Sequence, residues 1–195
     1  DGHCLVIAEI GHNHQGNLDT AREMFKTAKA CGADAVKLQK RDNRQLYTAA
    51  AYDKPYANPN SYGETYGAHR EFLEFEASEY AELKACAEDL DLILFSTAFD
   101  FNSADFLAKM DLPAFKVASG DLKNIPLLKH IAAFQKPIIL STGGGTMDDI
   151  RRAHDAIMPI NPQLCILQCT PGYPAAFEEL NLRVITTLRE RFPQT

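Results

Sequence analysis

Short apolar segments rich in β-branched residues recur along the chain and alternate with longer segments in which apolar residues return every three or four positions. The first pattern is typical of buried strands and the second of amphipathic helices. Strands are predicted at residues 5–10, 35–39, 92–97, 114–118, 137–142 and 164–169. Helices are predicted at residues 18–31, 79–90, 103–109, 125–134, 147–158 and 177–192. The pattern therefore predicts six successive βα units.

Polar residues stand where several of these helices should begin. Asn17 and Thr146 precede the first and the fifth predicted helix, and Asn102 with Ser103 opens the third. Such side chains accept hydrogen bonds from the free N–H groups of a first helical turn, so we expect them to be N-caps.

The predicted strands are apolar almost throughout rather than at alternate positions. Strands of this kind lie in parallel sheets that helices cover, either in a doubly wound sheet or in a barrel. A doubly wound nucleotide-binding fold should have a glycine-rich phosphate loop after an early strand. The segment GHNHQGN at residues 11–17 lacks that fingerprint, so a barrel is the better prediction.

Polar residues occupy the C-terminal end of each predicted strand. They are Glu9, Lys37 with Gln39, Ser96 with Thr97, Lys116 with Ser119, Ser141 with Thr142, and Gln168 with Thr170. The active sites of TIM barrels are built from such strand ends. We therefore predict an α/β chain of the TIM (β/α)₈-barrel type, with six βα units in one domain over residues 1–195. A complete barrel has eight units, so the last two are expected to lie outside this sequence.

The segment of residues 40–75 departs from the short connections elsewhere and is rich in tyrosine, asparagine and glycine. Connections of this length are commonly functional, so we expect a lid or a substrate-binding loop. At its start, Lys40, Arg41 and Asp42 could contact a substrate or form salt bridges within the segment, and the sequence leaves both interpretations open.

Composition and charge narrow the classes of molecule that this chain could bind. The formal net charge of −6 argues against a nucleic-acid surface, which concentrates lysine and arginine. No apolar run approaches the ~20 residues of a membrane span, and the first residues do not resemble a signal peptide. The cysteines are five in number and have no metal-ligand spacing, so buried reduced thiols are expected: Cys4, Cys31, Cys86, Cys165 and Cys169. These features predict a soluble, cytoplasmic protein that binds small molecules.

Lys37 and Lys116 stand in otherwise apolar strands. Burying an ammonium group without a partner is costly, so a buried lysine usually faces a bound anion or a carboxylate. The alternative is a stem that lies along the strand while the charge reaches solvent. Two such lysines on separate strands favour the first interpretation, in which they flank the phosphate and carboxylate of one ligand.

Hydroxyl groups and glycines follow the same strand ends. Thr97, Ser119 and Ser141 supply hydroxyl donors, and Gly120 and the glycines of residues 143–145 leave backbone N–H groups accessible before helices. At any single position a tight turn or a helix cap explains these residues equally well. The set as a whole predicts an anion-binding site.

Other candidates lie just past the strand ends. Glu9 could orient a substrate or transfer a proton, or form a salt bridge with Lys37 or Lys116, and these roles are compatible. Phe99 and Tyr173 could form an apolar wall or offer a hydroxyl group to a substrate, with ordinary packing as the alternative.

His12 and His14 form a His-x-His pair that could ligate a metal. No third ligand follows at a suitable spacing. Hydrogen bonds that hold the loop are therefore the favoured interpretation of this pair.

Six segments in order resemble the N-acylneuraminate (sialic acid) synthases. They are IAEIGHNHQGNLD, GADAVKLQKRDN, FSTAFD, FKVASGDLKNIPLL, KPIILSTGGGTMDDI and QCTPGYPA. The resemblance covers essentially the whole chain and implies condensation of phosphoenolpyruvate with an N-acylated mannosamine-like amino sugar, releasing phosphate. It also implies that Lys37, Lys116, Thr97, Ser119 and Ser141 hold phosphoenolpyruvate, while Glu9, Gln39 and Tyr173 lie nearer the sugar.

The resemblance further implies a divalent metal, Mn²⁺ or Mg²⁺, whose ligands come from the seventh and eighth strands, outside this chain. It implies a homodimer for full-length members, formed partly through a C-terminal antifreeze-like domain. Pro171 stands where some members have a sugar-binding asparagine, and KLQKRDN with ETYGAHREFLEF resembles one subgroup of the family. Two alternatives stay open: another barrel aldolase or 2-keto-3-deoxy acid synthase, including one that uses a Schiff-base lysine, and a catalytically incomplete ligand-binding fragment.

Overall fold

The computed structural model describes residues 2 and 4–195, and the chain divides into two compact units. The first unit extends to Leu112 and the second spans Pro113–Thr195. Each unit contains three parallel strands that alternate with helices, as the pattern of apolar residues predicts.

In the first unit, β1 (Ile7–Gly11), β2 (Ala35–Lys40) and β3 (Ile93–Ala98) form a parallel sheet in sequence order. Its helices are α1 (Leu18–Ala30), α2 (Asn43–Leu46), α3 (Ala49–Tyr52), α4 (Tyr66–Phe72), α5 (Ala77–Asp89) and α6 (Phe101–Lys109). The register places Glu9 beside Lys37 and Gln39 beside Thr97. Polar residues from neighbouring strands therefore meet at the C-terminal edge of this sheet.

Local sequence explains where α1 begins and which face it buries. Asn17 accepts a hydrogen bond from the N–H of Thr20 at 2.8 Å, which confirms the predicted N-cap. Ala21, Phe25 and Ala28 are buried, and their spacing of four and three residues places them on one helical face. Burial of Phe25 alone contributes about 2 kcal/mol of transfer free energy.

Gly11 ends β1 at a point where the register between β1 and β2 shifts. Its φ is +57°, in the left-handed region. A Cβ at this position would lie 3.0 Å from Oε1 of Glu9 and 3.4 Å from Nε2 of Gln39. Glycine is favoured because other residues are strained in this backbone conformation and because a Cβ would press on the two neighbouring side chains.

In the second unit, β4 (Phe115–Val117), β5 (Ile138–Ser141) and β6 (Leu164–Leu167) are parallel and again in sequence order. The helices are α7 (Ile125–Ala133), α8 (Met147–Ile157) and α9 (Val184–Arg191), with short 3₁₀ turns at Ser119–Asp121 and Phe177–Glu179. Thr146 and Asp149 cap α8 reciprocally: the Thr146 hydroxyl accepts from the Asp149 N–H, and the Asp149 carboxylate accepts from the Thr146 N–H. The predicted cap at Thr146 is confirmed.

Two helix predictions are wrong in their boundaries. The N-cap of α6 is Asp100, whose carboxylate accepts from the Ser103 N–H at 2.7 Å, so Asn102 and Ser103 lie inside the helix. The single helix predicted at residues 177–192 is a 3₁₀ turn followed by α9. Asn181 has a φ of +48° between them, and a left-handed residue interrupts a right-handed helix.

The segment of residues 40–75 is more ordered than the predicted loop. Lys40 is the last residue of β2, and the segment contains α2, α3 and α4. Side chains of Asp42, Thr48 and Thr65 cap these three helices. The segment therefore folds through local capping that the apolar pattern does not reveal.

The prediction of buried thiols is wrong. All five cysteines lack disulfides, but Cys4, Cys31 and Cys165 are exposed and the other two are half-buried. Cys31 is the C-cap of α1, and Cys165 points away from its buried neighbour Leu164 on β6, so neither side chain enters the core.

Among residues 2 and 4–195, none of the helices combines the length and the apolar character needed to cross a bilayer.

Candidate active site

Lys37 is at the centre of a polar cluster at the strand ends of the first unit. Its ammonium group donates to the Thr97 hydroxyl at 3.1 Å and forms an ion pair with the Glu9 carboxylate. The Lys37 side chain is only 9% exposed, whereas that of Glu9 is 48% exposed. Burial lowers the pKa of Lys37, and the charge of Glu9 opposes that change. Lys37 is thus a buried cation rather than a lysine that reaches solvent.

Gln39 extends this cluster to Arg41 and Phe99. The Gln39 amide donates through Nε2 to Oε1 of Glu9 at 3.1 Å and accepts through Oε1 from Nη2 of Arg41 at 2.7 Å. The Arg41 guanidinium lies 3.7 Å from the centre of the Phe99 ring. Because a guanidinium only donates, Arg41 determines which end of the amide faces Glu9.

His12 and His14 make the contacts expected of residues that hold a loop. His14 accepts from the Gly16 N–H at 3.1 Å and stacks on Phe75, with ring centroids 4.1 Å apart. Nε2 of His12 lies 3.4 Å from Oε1 of Glu74. Burial lowers the pKa of His12, and it lowers the pKa of His14 to about 4, so both rings are neutral at pH 7.

Lys40 and Asp42 stabilise the segment that follows β2. Lys40 donates to the Phe75 carbonyl at 2.8 Å and lies 3.4 Å from Oε2 of Glu74, while Asp42 caps α2. Lys40 therefore forms a salt bridge within the segment and Asp42 caps a helix there, whereas Arg41 joins the polar cluster around Lys37. Glu74 is a partner that the sequence pattern did not reveal.

A second polar cluster lies at the strand ends of the second unit. Lys116 is 9% exposed, and its ammonium group donates to the Ser141 hydroxyl at 2.5 Å and to the Val117 carbonyl at 2.8 Å. The Ser119 hydroxyl accepts from the Gly143 N–H at 2.9 Å. Four residues that the sequence singled out therefore form two contacting pairs beside the loop after β5.

Tyr173 does not join the polar cluster of its own unit. Its side chain is 95% exposed. Within the described residues of the second unit, no hydrogen bond or ring contact joins it to Lys116, Ser119 or Ser141. Its assignment to the sugar site remains a prediction.

The two clusters share a chemistry suited to an anion. Each presents a buried ammonium group with a hydroxyl group beside it, and the loops add backbone N–H groups. The described residues offer no comparable site for the metal that the resemblance implies. No group of three or more His, Cys, Asp or Glu side chains among the described residues could hold an ion, so none of them is assigned as a ligand.

Parallel strands in sequence order, alternating with helices and ending in polar residues, define an α/β chain of the TIM-barrel class, as predicted. Residues 24–195 match the model of the NeuB family. The chain belongs to the NeuB family, which confirms the resemblance to sialic acid synthases.

Individual relatives support this assignment. The chain is 40% identical over 190 residues to the N-acetylneuraminate-9-phosphate synthase of Mus musculus, covering 97% of this chain and 53% of that protein. It is 35% identical over 198 residues to the N,N'-diacetyllegionaminic acid synthase of Legionella pneumophila, covering 97% of this chain and 55% of that protein. The chain spans about half the length of these curated relatives.

A solved structure agrees over nearly the whole chain. The N-acetylneuraminic acid (sialic acid) synthetase of Leptospira borgpetersenii, in complex with citrate, superposes with a TM-score of 0.83 at 27% identity. The match covers 96% of this chain and 61% of that chain. The α/β fold class is therefore the same.

Proposed function

We propose that this chain belongs to an enzyme that condenses phosphoenolpyruvate with an N-acylated amino sugar to form a sialic acid or a related nonulosonic acid. The observation that carries the proposal is the buried Lys37, held between Glu9 and Thr97 at the strand ends of a NeuB family chain. The names of the mouse and Legionella relatives, both synthases of such acids, support the reaction class. The Leptospira structure contains citrate, which is itself an anion.

In the proposed reaction, the methylene carbon of phosphoenolpyruvate attacks the aldehyde carbon of the open-chain sugar. The aldehyde oxygen takes up a proton and becomes a hydroxyl group. Water then adds to the oxocarbenium-like carbon that carries the phosphate, and the C–O bond to phosphate breaks, leaving a 2-keto acid and inorganic phosphate. A bound divalent metal would polarise the aldehyde.

The described residues supply charge and orientation to this reaction. Lys37 and Thr97 present an ammonium group and a hydroxyl group to the anionic donor. Glu9 is exposed enough to reach a substrate and is held in place by Lys37 and Gln39. It is therefore the group that we assign to proton transfer at the aldehyde oxygen.

The relatives differ in whether their names include a phosphate on the product. The mouse relative is named for a 9-phosphate product and the Legionella relative for an unphosphorylated one. Because the donor adds three carbons, a 9-phosphate corresponds to a 6-phosphate on the acceptor. We propose, from the resemblance alone, that Mn²⁺ or Mg²⁺ and a homodimer complete the site, and that the enzyme acts in the cytoplasm.

Calorimetric titration of the chain with phosphoenolpyruvate tests the donor site without requiring turnover. We expect saturable binding, weakened at least about tenfold in Lys37→Ala, because a charge-assisted contact is lost. Lys26→Ala removes an exposed, ion-paired lysine on α1 and is the matched control. Absence of binding by a wild-type chain shown to be folded by circular dichroism would overturn the proposal.

Lys116→Ala tests the prediction that Lys116 binds the same molecule. If both lysines contact one donor, combining the two substitutions should weaken binding less than the sum of the single effects in free energy, because the remaining contacts no longer act together. Fully additive losses would indicate independent contributions.

A Schiff-base aldolase is a second candidate, because the lowered pKa of Lys37 makes a neutral, nucleophilic amine more accessible. Borohydride reduction in the presence of pyruvate separates the two mechanisms. The proposed synthase should remain unmodified by mass spectrometry. A covalent mass increase that disappears in Lys37→Ala would establish the Schiff-base mechanism instead.

A further inference from the structure

Arg41 is a buried cation whose guanidinium contacts only neutral groups. It is 9% exposed, and its nitrogens lie 2.7 Å from Oε1 of Gln39 and 3.4 Å from Nε2 of His12. Its third contact is the face of the Phe99 ring. Among the described residues no carboxylate lies within salt-bridge distance of this guanidinium. The charge of Glu74 offsets only part of the desolvation cost of this guanidinium, and an anionic ligand would supply the remaining counter-charge.

Arg70, on α4, carries a second guanidinium group near that of Arg41. Its Nε is buried and has no hydrogen-bond partner in the described part of the chain. Its Cζ lies 5.9 Å from the centre of the Tyr66 ring, and the Tyr66 hydroxyl is 3.5 Å from that of Tyr47. Burial, together with the charge of Arg70, lowers the pKa of Arg41 to about 10, so the two cations are near enough to repel each other.

The nearby carboxylates are engaged elsewhere. Glu74 lies 3.4 Å from both the Lys40 ammonium and His12, and it accepts from the backbone N–H of Arg41 rather than from its guanidinium. Glu71 accepts from the Tyr52 hydroxyl at 3.1 Å. Neither carboxylate forms a salt bridge with the two guanidinium groups, and Nε of Arg70 is left as a donor without a partner in the described part of the chain.

We propose that Arg41 and Arg70 form a binding site for a phosphate monoester carried by the acceptor sugar. The inference rests on the proposed function, because it assigns this site to the acceptor of that reaction. Two guanidinium groups and two phenol hydroxyls provide the donors that a phosphate dianion requires. Hydrogen bonds from Arg41 through Gln39 to Glu9 connect this site to the residues assigned to the aldehyde.

The test compares N-acetylmannosamine 6-phosphate with N-acetylmannosamine by calorimetry, with phosphoenolpyruvate at saturation. We expect the phosphorylated sugar to bind on the order of 10- to 100-fold more tightly, as charge-assisted hydrogen bonds to the phosphate predict. Inorganic phosphate should compete with the sugar phosphate but bind more weakly, since it lacks the sugar contacts. Equal competition would show a site for free phosphate and would overturn the assignment to the acceptor.

For each variant, the measured quantity is the ratio of the affinities for the two sugars. A displaced Gln39 would affect both sugars alike, so this ratio removes that indirect effect. In Arg41→Gln and Arg70→Gln the ratio should fall towards one, and Arg41→Lys should retain part of it. Arg44→Gln, an exposed arginine on the same segment, is the matched control and should keep the wild-type ratio. The inference is overturned if wild type does not distinguish the sugars, or binds neither, while still binding phosphoenolpyruvate. Failure to bind phosphoenolpyruvate would instead contradict the proposed function.

Discussion

Glu9→Gln is expected to destabilise the fold through Lys37 and not through Glu9 itself. The substitution keeps the size and hydrogen-bonding capacity of the side chain but removes the charge that compensates the buried ammonium group. Breaking a fully buried ion pair costs about 3–5 kcal/mol. Because the Glu9 side chain is 48% exposed and solvent screens its charge, we expect about 1–2 kcal/mol at pH 7.

The cost should depend on pH in a defined direction. Burial holds the pKa of Lys37 below its ordinary value, so the unfolded chain binds more protons between the folded and the unfolded pKa. Stability from this residue therefore rises with pH through that window. Without Glu9 the folded pKa of Lys37 falls further, so the difference in stability between Glu9→Gln and wild type should shrink as pH rises towards the ordinary pKa of lysine.

Urea denaturation followed by circular dichroism measures these differences, and a double-mutant cycle isolates the pair. In a Lys37→Met background no buried cation remains, so Glu9→Gln should cost close to nothing. Glu23→Gln, in the exposed pair with Lys26, is the control and should cost less than about 0.5 kcal/mol. An undiminished cost of Glu9→Gln in the Lys37→Met background, or a cost independent of pH, would refute the reasoning.

Two further substitutions test neighbouring parts of the structure. Tyr80→Phe removes a fully buried hydroxyl that lies 3.1 Å from the Ser96 hydroxyl, so urea denaturation should show a loss of about 1 kcal/mol, whereas unchanged stability would mean that the bond contributes nothing. Gly143→Ala places a methyl group 2.9 Å from the Ser119 hydroxyl and should weaken phosphoenolpyruvate binding in calorimetry. Gly120→Ala, whose methyl group meets no atom within 4 Å, should bind as wild type does, and equal behaviour of the two variants would exclude this role for the Ser119 loop.

Much of the fold was predictable because the responsible signals are local. A strand buried on both faces is apolar along its length, and a helix repeats its apolar residues every three or four positions. The caps at Asn17 and Thr146 were predictable for the same reason. The helices of residues 40–75 were not, because they are only four to seven residues long and leave too little periodicity to detect.

Some residues of the candidate site could likewise be recognised from the sequence, and others could not. Lys37 and Lys116 were recognisable because a lysine in an apolar strand contradicts the burial pattern around it. Arg41 and Glu74 lie in a polar segment, where charged residues are ordinary, and nothing in their spacing distinguishes them. Tyr173 is the opposite case. Its position past a strand end suggested a site residue but did not predict that its side chain would be 95% exposed.

By itself, the sequence determined the order of βα units, the polar strand ends and the family, because each depends on residue type and spacing along the chain. Only the tertiary structure decided which charges meet. The pairing of Glu9 with Lys37 depends on the register between two strands. Among the described residues, no carboxylate forms a salt bridge with the Arg41 guanidinium, and this depends on how the segment after β2 folds back. Such pairings are set by distances of a few ångströms between residues far apart in sequence, which no local pattern encodes.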